Sequence, residues 1–184
     1  MVKITKDGDQ ILRDVAKDVP VDKIASKETK DIIKDMSDAL AKEKFGVAIA
    51  APQIGVGLRI FIVAGKVFSK RKGKEDSTDD TEPNQIFINP QILRSSKGCQ
   101  ESHESCLSIQ GRPAERGPDV AGIVERPKKM TISYYNEEGE KMERGASGFL
   151  AAIFDHEIDH LNGVLFIDKT IEAWEIDGDF NKVS

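Results

Sequence analysis

The sequence predicts an α+β fold, and two observations carry that reading. Strand-like and helical runs are mixed along 184 residues without the strand–helix alternation of a parallel sheet. One run, "MTISYYNEEGEKMER" (130–144), reads as two strands joined through an Asn-Glu-Glu-Gly turn region, a hairpin that implies antiparallel pairing. The length suits one domain, 1–184, with a sizeable core, and no internal repeat is present.

The elements follow in order. Residues 10–20 hold the first apolar cluster and end at Pro20. "SKETKDIIKDMSDALAKEKFG" (26–46) reads as an amphipathic helix: Ser26 caps it, Ile32, Ile33, Met36, Ala39 and Leu40 share a face, and Gly46 is its expected stop. "GVAIAAPQIGVG" (46–57) is small, apolar and uncharged, and "LRIFIVAG" (58–65) is rich in strand-forming residues. Residues 65–84 are charged and full of turn formers, which predicts a mobile surface loop inside the domain. "QIFINPQILRS" (85–95) is a strand that Pro90 places at an edge or a bend. Residues 111–128, with three prolines and three glycines, are expected to be irregular. Ser147 is the expected cap of a helix running to about Leu161, with Gly163 as its stop. "VLFID" (164–168) reads as a last short strand, followed by an acidic tail that holds Trp174.

Composition narrows the function. Hydrophobic residues at 39% and charged residues at 32% describe a globular chain rather than a disordered one. A net charge of −5 argues against nucleic acid as the main partner. No apolar run approaches the roughly 20 residues that cross a bilayer, so no membrane partner is expected. The start of the chain has neither a signal-peptide core nor a transit-peptide composition, so a cytoplasmic protein is expected. Two cysteines, Cys99 and Cys106, suit free or metal-bound thiols rather than a disulfide scaffold.

The chemistry concentrates in "FDHEIDHLNG" (154–163), which holds two of the three histidines. His156 and His160, four apart on a helix, share a face and can grip one metal ion. Glu157 is rotated about 100° from His156 and can handle a proton on water at that ion. Two protein ligands make a poor site. A third histidine in the extended pattern His-Glu-x-x-His-x-x-Gly-x-x-His is excluded, because that position is Phe166. Glu172 or Glu175 downstream, and His103 or Cys106 upstream, remain as third donors.

Three segments in order resemble the motifs of peptide deformylases: "GVAIAAPQIG" (46–55), "ESCLS" (104–108) and "HEIDHLNG" (156–163). "QILRDVAKDV" (10–19) resembles the family's N-terminal segment, so the likeness spans nearly the whole chain. The resemblance implies antiparallel sheets around a central helix that carries the His-Glu-x-x-His motif. It implies that Cys106, His156 and His160 hold the metal and that water takes the fourth position. Glu157 would be the general base and then the general acid. The Gln53 side chain and the Leu107 backbone N–H would stabilise the oxyanion. Gly46, Val47 and Ala48 would lie along the peptide, and Phe149, Ala152 and Ile153 would line the methionine pocket. Glu104 would orient the site from behind the ligands, pairing with an arginine such as Arg126. Cys99 would be a bystander and His103 an exposed loop residue. The implied substrate is the formyl-methionine end of nascent polypeptides, with formate released. The implied cofactor is one divalent ion, iron(II), with zinc, nickel or cobalt as substitutes.

The chain departs from the family pattern at four points. Ala48 and Ser105 stand where glycines are usual, and Asp155 stands where Gln is usual before the first histidine. The stretches 65–84 and 111–122 are long, and no long basic C-terminal helix is present for ribosome docking, so any ribosome contact would be transient and made by another route. These departures leave the expected ligands, Glu157 and Gln53 in place and are read as tuning.

Overall fold

The computed structural model describes residues 2–69, 82–110, 119–177 and 181–183. The regular helices are α1 (Lys27–Leu40), α2 (Lys66–Ser69) and α3 (Phe149–Leu161). The strands are β1 (Ala48–Ala50), β2 (Ile60–Val63), β3 (Gln85–Ser95), β4 (Cys99–Gln110), β5 (Asp119–Pro127), β6 (Lys129–Tyr135), β7 (Lys141–Ser147) and β8 (Glu172–Ile176). Short 3-10 turns occupy Gln10–Leu12, Val21–Lys23, Ala51–Ile54 and Phe166–Asp168. One sheet has the order β1-β2-β3-β6-β7 and the other β4-β5-β8, with every neighbouring pair antiparallel. The architecture is α+β with few helices, as expected.

Side-chain alternation along β1 and β2 separates two cores. Ala48, Ala50, Phe61 and Val63 face α3 with Phe87, Met130 and Ile132, meeting Leu150, Ala151, Phe154 and Ile158. Phe61 and Phe87 stack at 4.6 Å between centroids, and Phe154 of α3 meets Phe87 edge-on at 5.0 Å. Ile49, Ile60, Ile62 and Ile88 point the other way, onto Ile33, Met36, Ala39 and Leu40 of α1. A third cluster of Leu12, Cys106, Ile109, Val124, Leu165 and Phe166 carries β4 and β5.

Helix α1 begins at the predicted cap, where Ser26 Oγ accepts from the Thr29 N–H. It ends at Leu40 rather than Gly46. The N–H groups of Lys42 and Glu43 turn back to Ala39 and Leu40, winding the chain off the helix early. Gly46 instead permits a close approach: a Cβ there would lie 2.9 Å from Leu40 Cδ1.

Pro90 marks a bend, and β3 is an inner strand rather than an edge. The register shifts between Ile88 and Gln91, and Asn89 has φ 51°. The Asn89 side chain then bonds Val19 through both its N–H and its carbonyl, each at 2.8 Å. The segment before α1 belongs to no sheet, yet it is tied on several sides. Ala16 N–H donates to Leu161 O at 2.9 Å and Lys17 N–H to Gly57 O at 2.9 Å, while Lys17 O accepts from Arg59 N–H at 2.8 Å.

The β6–β7 hairpin forms as predicted, with Asn136 Oδ1 accepting from Glu138 and Glu140 N–H in the turn. Ser147 closes β7 and does not cap α3. The N-cap is Gly148, at φ 58° and ψ −133°, and no side chain bonds the helix end. Gly163 follows α3 at φ 74°, with space for a Cβ closed by Arg13 O at 2.3 Å.

Two expectations fail in the second half. Residues 119–127 are not irregular but form β5, the middle strand of the smaller sheet. Gly122, one of the three glycines of that stretch, lets β8 cross closely: a Cβ there would lie 2.7 Å from Glu172 O. "VLFID" is not a strand, because Asp168 Oδ2 accepts from Leu165 N–H at 2.9 Å and closes a 3-10 turn. The acidic tail carries β8, which pairs with β5 along its length. Within 65–84, α2 interrupts the expected loop, and residues 70–81 lie outside the described residues, as do 111–118.

Candidate active site

The site lies where α3 meets β4 and the turn after β1. Phe149, Ala152, Ile153, His156, Glu157 and His160 follow helical spacing along one face of α3. Strand β4 brings Cys106 to them, with Cys106 Sγ 3.1 Å from His160 Nε2. Ligand atoms of Cys106, His156 and His160 all lie within 4.8 Å of one another. Donors at about 2.0–2.3 Å from a tetrahedral ion stand about 3.3–3.8 Å apart, so this group fits one ion. Among the described residues it is the converging donor group. Glu172 and Glu175 sit exposed on β8, and His103 lies on strand β4, not in a loop, with its ring beside Trp174 at 5.9 Å. Cys99 is exposed and outside the group.

Tautomer and charge agree with that fit. Glu104 Oε2 lies 2.9 Å from His156 Nδ1, and with Nδ1–H donating there, Nε2 remains for an ion. Glu104 is itself held by Arg126, whose Nε and Nη2 each donate to it at 2.8 Å. Burial opposes ionisation of Glu104, but the bonds from Arg126 and His156 prevail and hold its pKa down to about 2. Burial likewise opposes the Cys106 thiolate. His160 and His156 outweigh it, so the thiol lies well below its ordinary range. Burial would lower His156, but bonds to Cys106 and Glu104 raise it instead. A thiolate beside imidazole donors is a borderline-soft set suited to zinc or iron.

Glu157 is buried, and its Oε2 has no hydrogen-bond partner. Burial lifts its carboxyl to about 7, against the pull of both imidazoles, so it can exchange a proton near neutrality. Gln53 is buried as well. Its Oε1 accepts from Ala50 N–H at 2.8 Å, which aims Nε2 at Cys106 Sγ (3.4 Å) and Ser108 Oγ (3.3 Å).

A cavity of about 630 Å³ opens over this group. Gly46, Val47 and Ala48 border it, with Gln53, Glu104, Cys106, Leu107, Phe149, Ala152, Ile153, His156 and Glu157. Ala152 and Ile153 are buried walls, whereas Phe149 stands 60% exposed at the rim. Three participants gave no signal in the sequence. Lys6 Nζ donates to Leu107 O at 2.7 Å, Ser108 supports Gln53, and Asp159 accepts from Arg126. Each is a common residue type whose partner lies far away in the chain.

The fold and site together define an enzyme class: an α+β scaffold that holds donors for one metal ion beside a buried acid–base group, under an open cleft. The chain belongs to the polypeptide deformylase family, whose description it matches over residues 1–174. Its relatives include a peptide deformylase of Pseudothermotoga lettingae, 37% identical over 90% of this chain and 81% of that one. Another, from Halothermothrix orenii, is 37% identical over 95% and 97%. Among solved structures, a Synechococcus elongatus peptide deformylase in complex with actinonin has a TM-score of 0.75 at 31% identity, covering 92% of this chain and 80% of that chain. A Met-Ala-Ser-bound class I type b enzyme from Acinetobacter baumannii has a TM-score of 0.73 at 30% identity, covering 91% and 97%.

Proposed function

We propose that this chain is a metal-dependent deformylase that hydrolyses the formyl group from the N-terminal formyl-methionine of nascent polypeptides and releases formate. The observation that carries the proposal is the convergence of Cys106, His156 and His160 beside the unpartnered Glu157 Oε2. Cys106, His156 and His160 would hold a divalent ion, and the chemistry it would supply is Lewis acidity toward water and the formyl carbonyl. Iron(II) is the proposed ion, with zinc, nickel or cobalt able to use the same ligands.

The chain's own residues do the rest. Glu157 takes the proton of the attacking water and returns it to the departing amine. Gln53 Nε2 and Leu107 N–H donate to the oxygen that gains charge. Strands β1 and β4 are outer strands of their sheets, and both border the cavity, so an extended peptide can pair with backbone at Gly46 to Ala48. Ala152 and Ile153, with Phe149 at the rim, receive the methionine side chain. Glu104 holds His156 at Nδ1, which would leave Nε2 for the ion. The His156–His160 helix is thus the axis of a single catalytic domain, 1–184. The protein works in the cytoplasm, and any ribosome contact is transient. A tripeptide bound to the Acinetobacter relative supports a peptide substrate here.

The test is anaerobic purification with iron, measurement of bound metal, and formate release from formyl-Met-Ala-Ser. One ion per chain with sustained turnover is expected. Full occupancy without formate would overturn the proposal.

A further inference from the structure

Asp155, directly before His156 on α3, has a specific place in the structure. Arg126 is fully buried and spends its guanidinium on three carboxylates. Nε and Nη2 take Glu104, while Nη1 is shared between Asp155 Oδ2 at 2.9 Å and Asp159 Oδ2 at 2.5 Å. Lys169 Nζ reaches both Asp159 oxygens at 2.7 Å. With His156 neutral, as a metal ligand must be, three carboxylates face two cations, and one negative charge is left over. A glutamine at 155 offers Nη1 an acceptor oxygen without that charge, and the group is then balanced. Asp155 reaches His156 through Arg126 and Glu104, whose Oε2 lies 2.9 Å from His156 Nδ1.

We infer that Asp155 is a positioning residue that strengthens the hold of His156 on the metal ion. By drawing on Arg126, it leaves Glu104 a stronger acceptor for Nδ1–H, which makes Nε2 a better donor. Its charge also attracts the divalent ion through a protein interior that screens poorly. The inference rests on the metal reading proposed above.

The experiment is competition for cobalt(II) against a chelator of known affinity, reading the thiolate absorption band of the bound ion. Asp155→Asn and Asp155→Gln are expected to bind about tenfold more weakly than the parent chain, and Asp155→Glu to recover most of the loss. In the zinc-loaded protein, the His156 Nδ1–H resonance is expected to move upfield in the neutral variants, as its hydrogen bond weakens. Two neutral variants are used so that one that fails to fold does not end the test. Folded neutral variants that keep the parent affinity would overturn the role of Asp155. So would a Glu variant as weak as the Asn one, which would place the effect in packing rather than charge. A parent chain that binds no cobalt would overturn the metal reading itself, and this role with it.

Discussion

Glu157 shows how far one residue's surroundings set its task. Packed under the cleft beside two imidazoles, its carboxyl is lifted to about 7 and one oxygen is left unpaired. Glu157→Ala is expected to keep the metal and lose about 10²–10⁴ in rate, measured as formate release alongside metal content. Arg126 has the opposite role, since it neutralises rather than reacts. Arg126→Ala would deprive Glu104 and Asp155 of their cation and leave Asp159 only Lys169, around an empty space. A loss of about 3–5 kcal/mol in unfolding free energy is expected from denaturant titration. His156, Glu157 and His160 were legible in the sequence because helical spacing alone puts them together. Cys106 was singled out only through the family likeness, since residue types by themselves left His103 beside it and did not rule out Glu172 or Glu175. Lys6 and Asp159 were not legible, because a lysine or aspartate carries no mark of a partner many residues away.

Elements were legible where the determinant is local. Ser26 caps α1 and Asn136 organises the β6–β7 turn, and both are chain neighbours of what they bond. Misreadings arose where tertiary contact decides. Gly122 breaks a strand by propensity, yet it is required because β8 passes over it. The 164–168 stretch is apolar enough for a strand, yet Asp168 folds it into a turn. Glycine at the end of α3 serves both levels: Gly163 has a left-handed backbone and lies against Arg13 O. Gly163→Ala is therefore expected to destabilise the protein by about 2 kcal/mol or more, read from thermal or denaturant unfolding, with little room for repacking because the neighbour is backbone.

Across the whole molecule, the candidate ligands come from different layers. Cys106 stands on the smaller sheet, while His156 and His160 stand on a helix packed against the larger one. An ion bound to all three would link those layers, and it would bind the folded chain far better than the unfolded one. With free ion about 1,000-fold above its dissociation constant, it adds about 4 kcal/mol of stability. Chelation is expected to lower the melting temperature by on the order of 10 °C, reversed on adding the ion back, as a thermal melt with and without chelator would show. An unchanged melting temperature would mean that the donors do not hold the layers together.

The tether between the start of the chain and the end of α3 bears on how the molecule breathes. Ala16, Lys17 and Val19 lie in a stretch without regular structure, yet their N–H groups are bound to the end of α3, to the turn before β2 and to β3. Opening any one of them requires pulling the first segment off the core. In deuterium exchange, the amides of Ala16 and Val19 should therefore trade hydrogen as slowly as those inside α3, far slower than a loop's. The slowest-exchanging part of the molecule would then include a stretch that a map of strands and helices leaves blank.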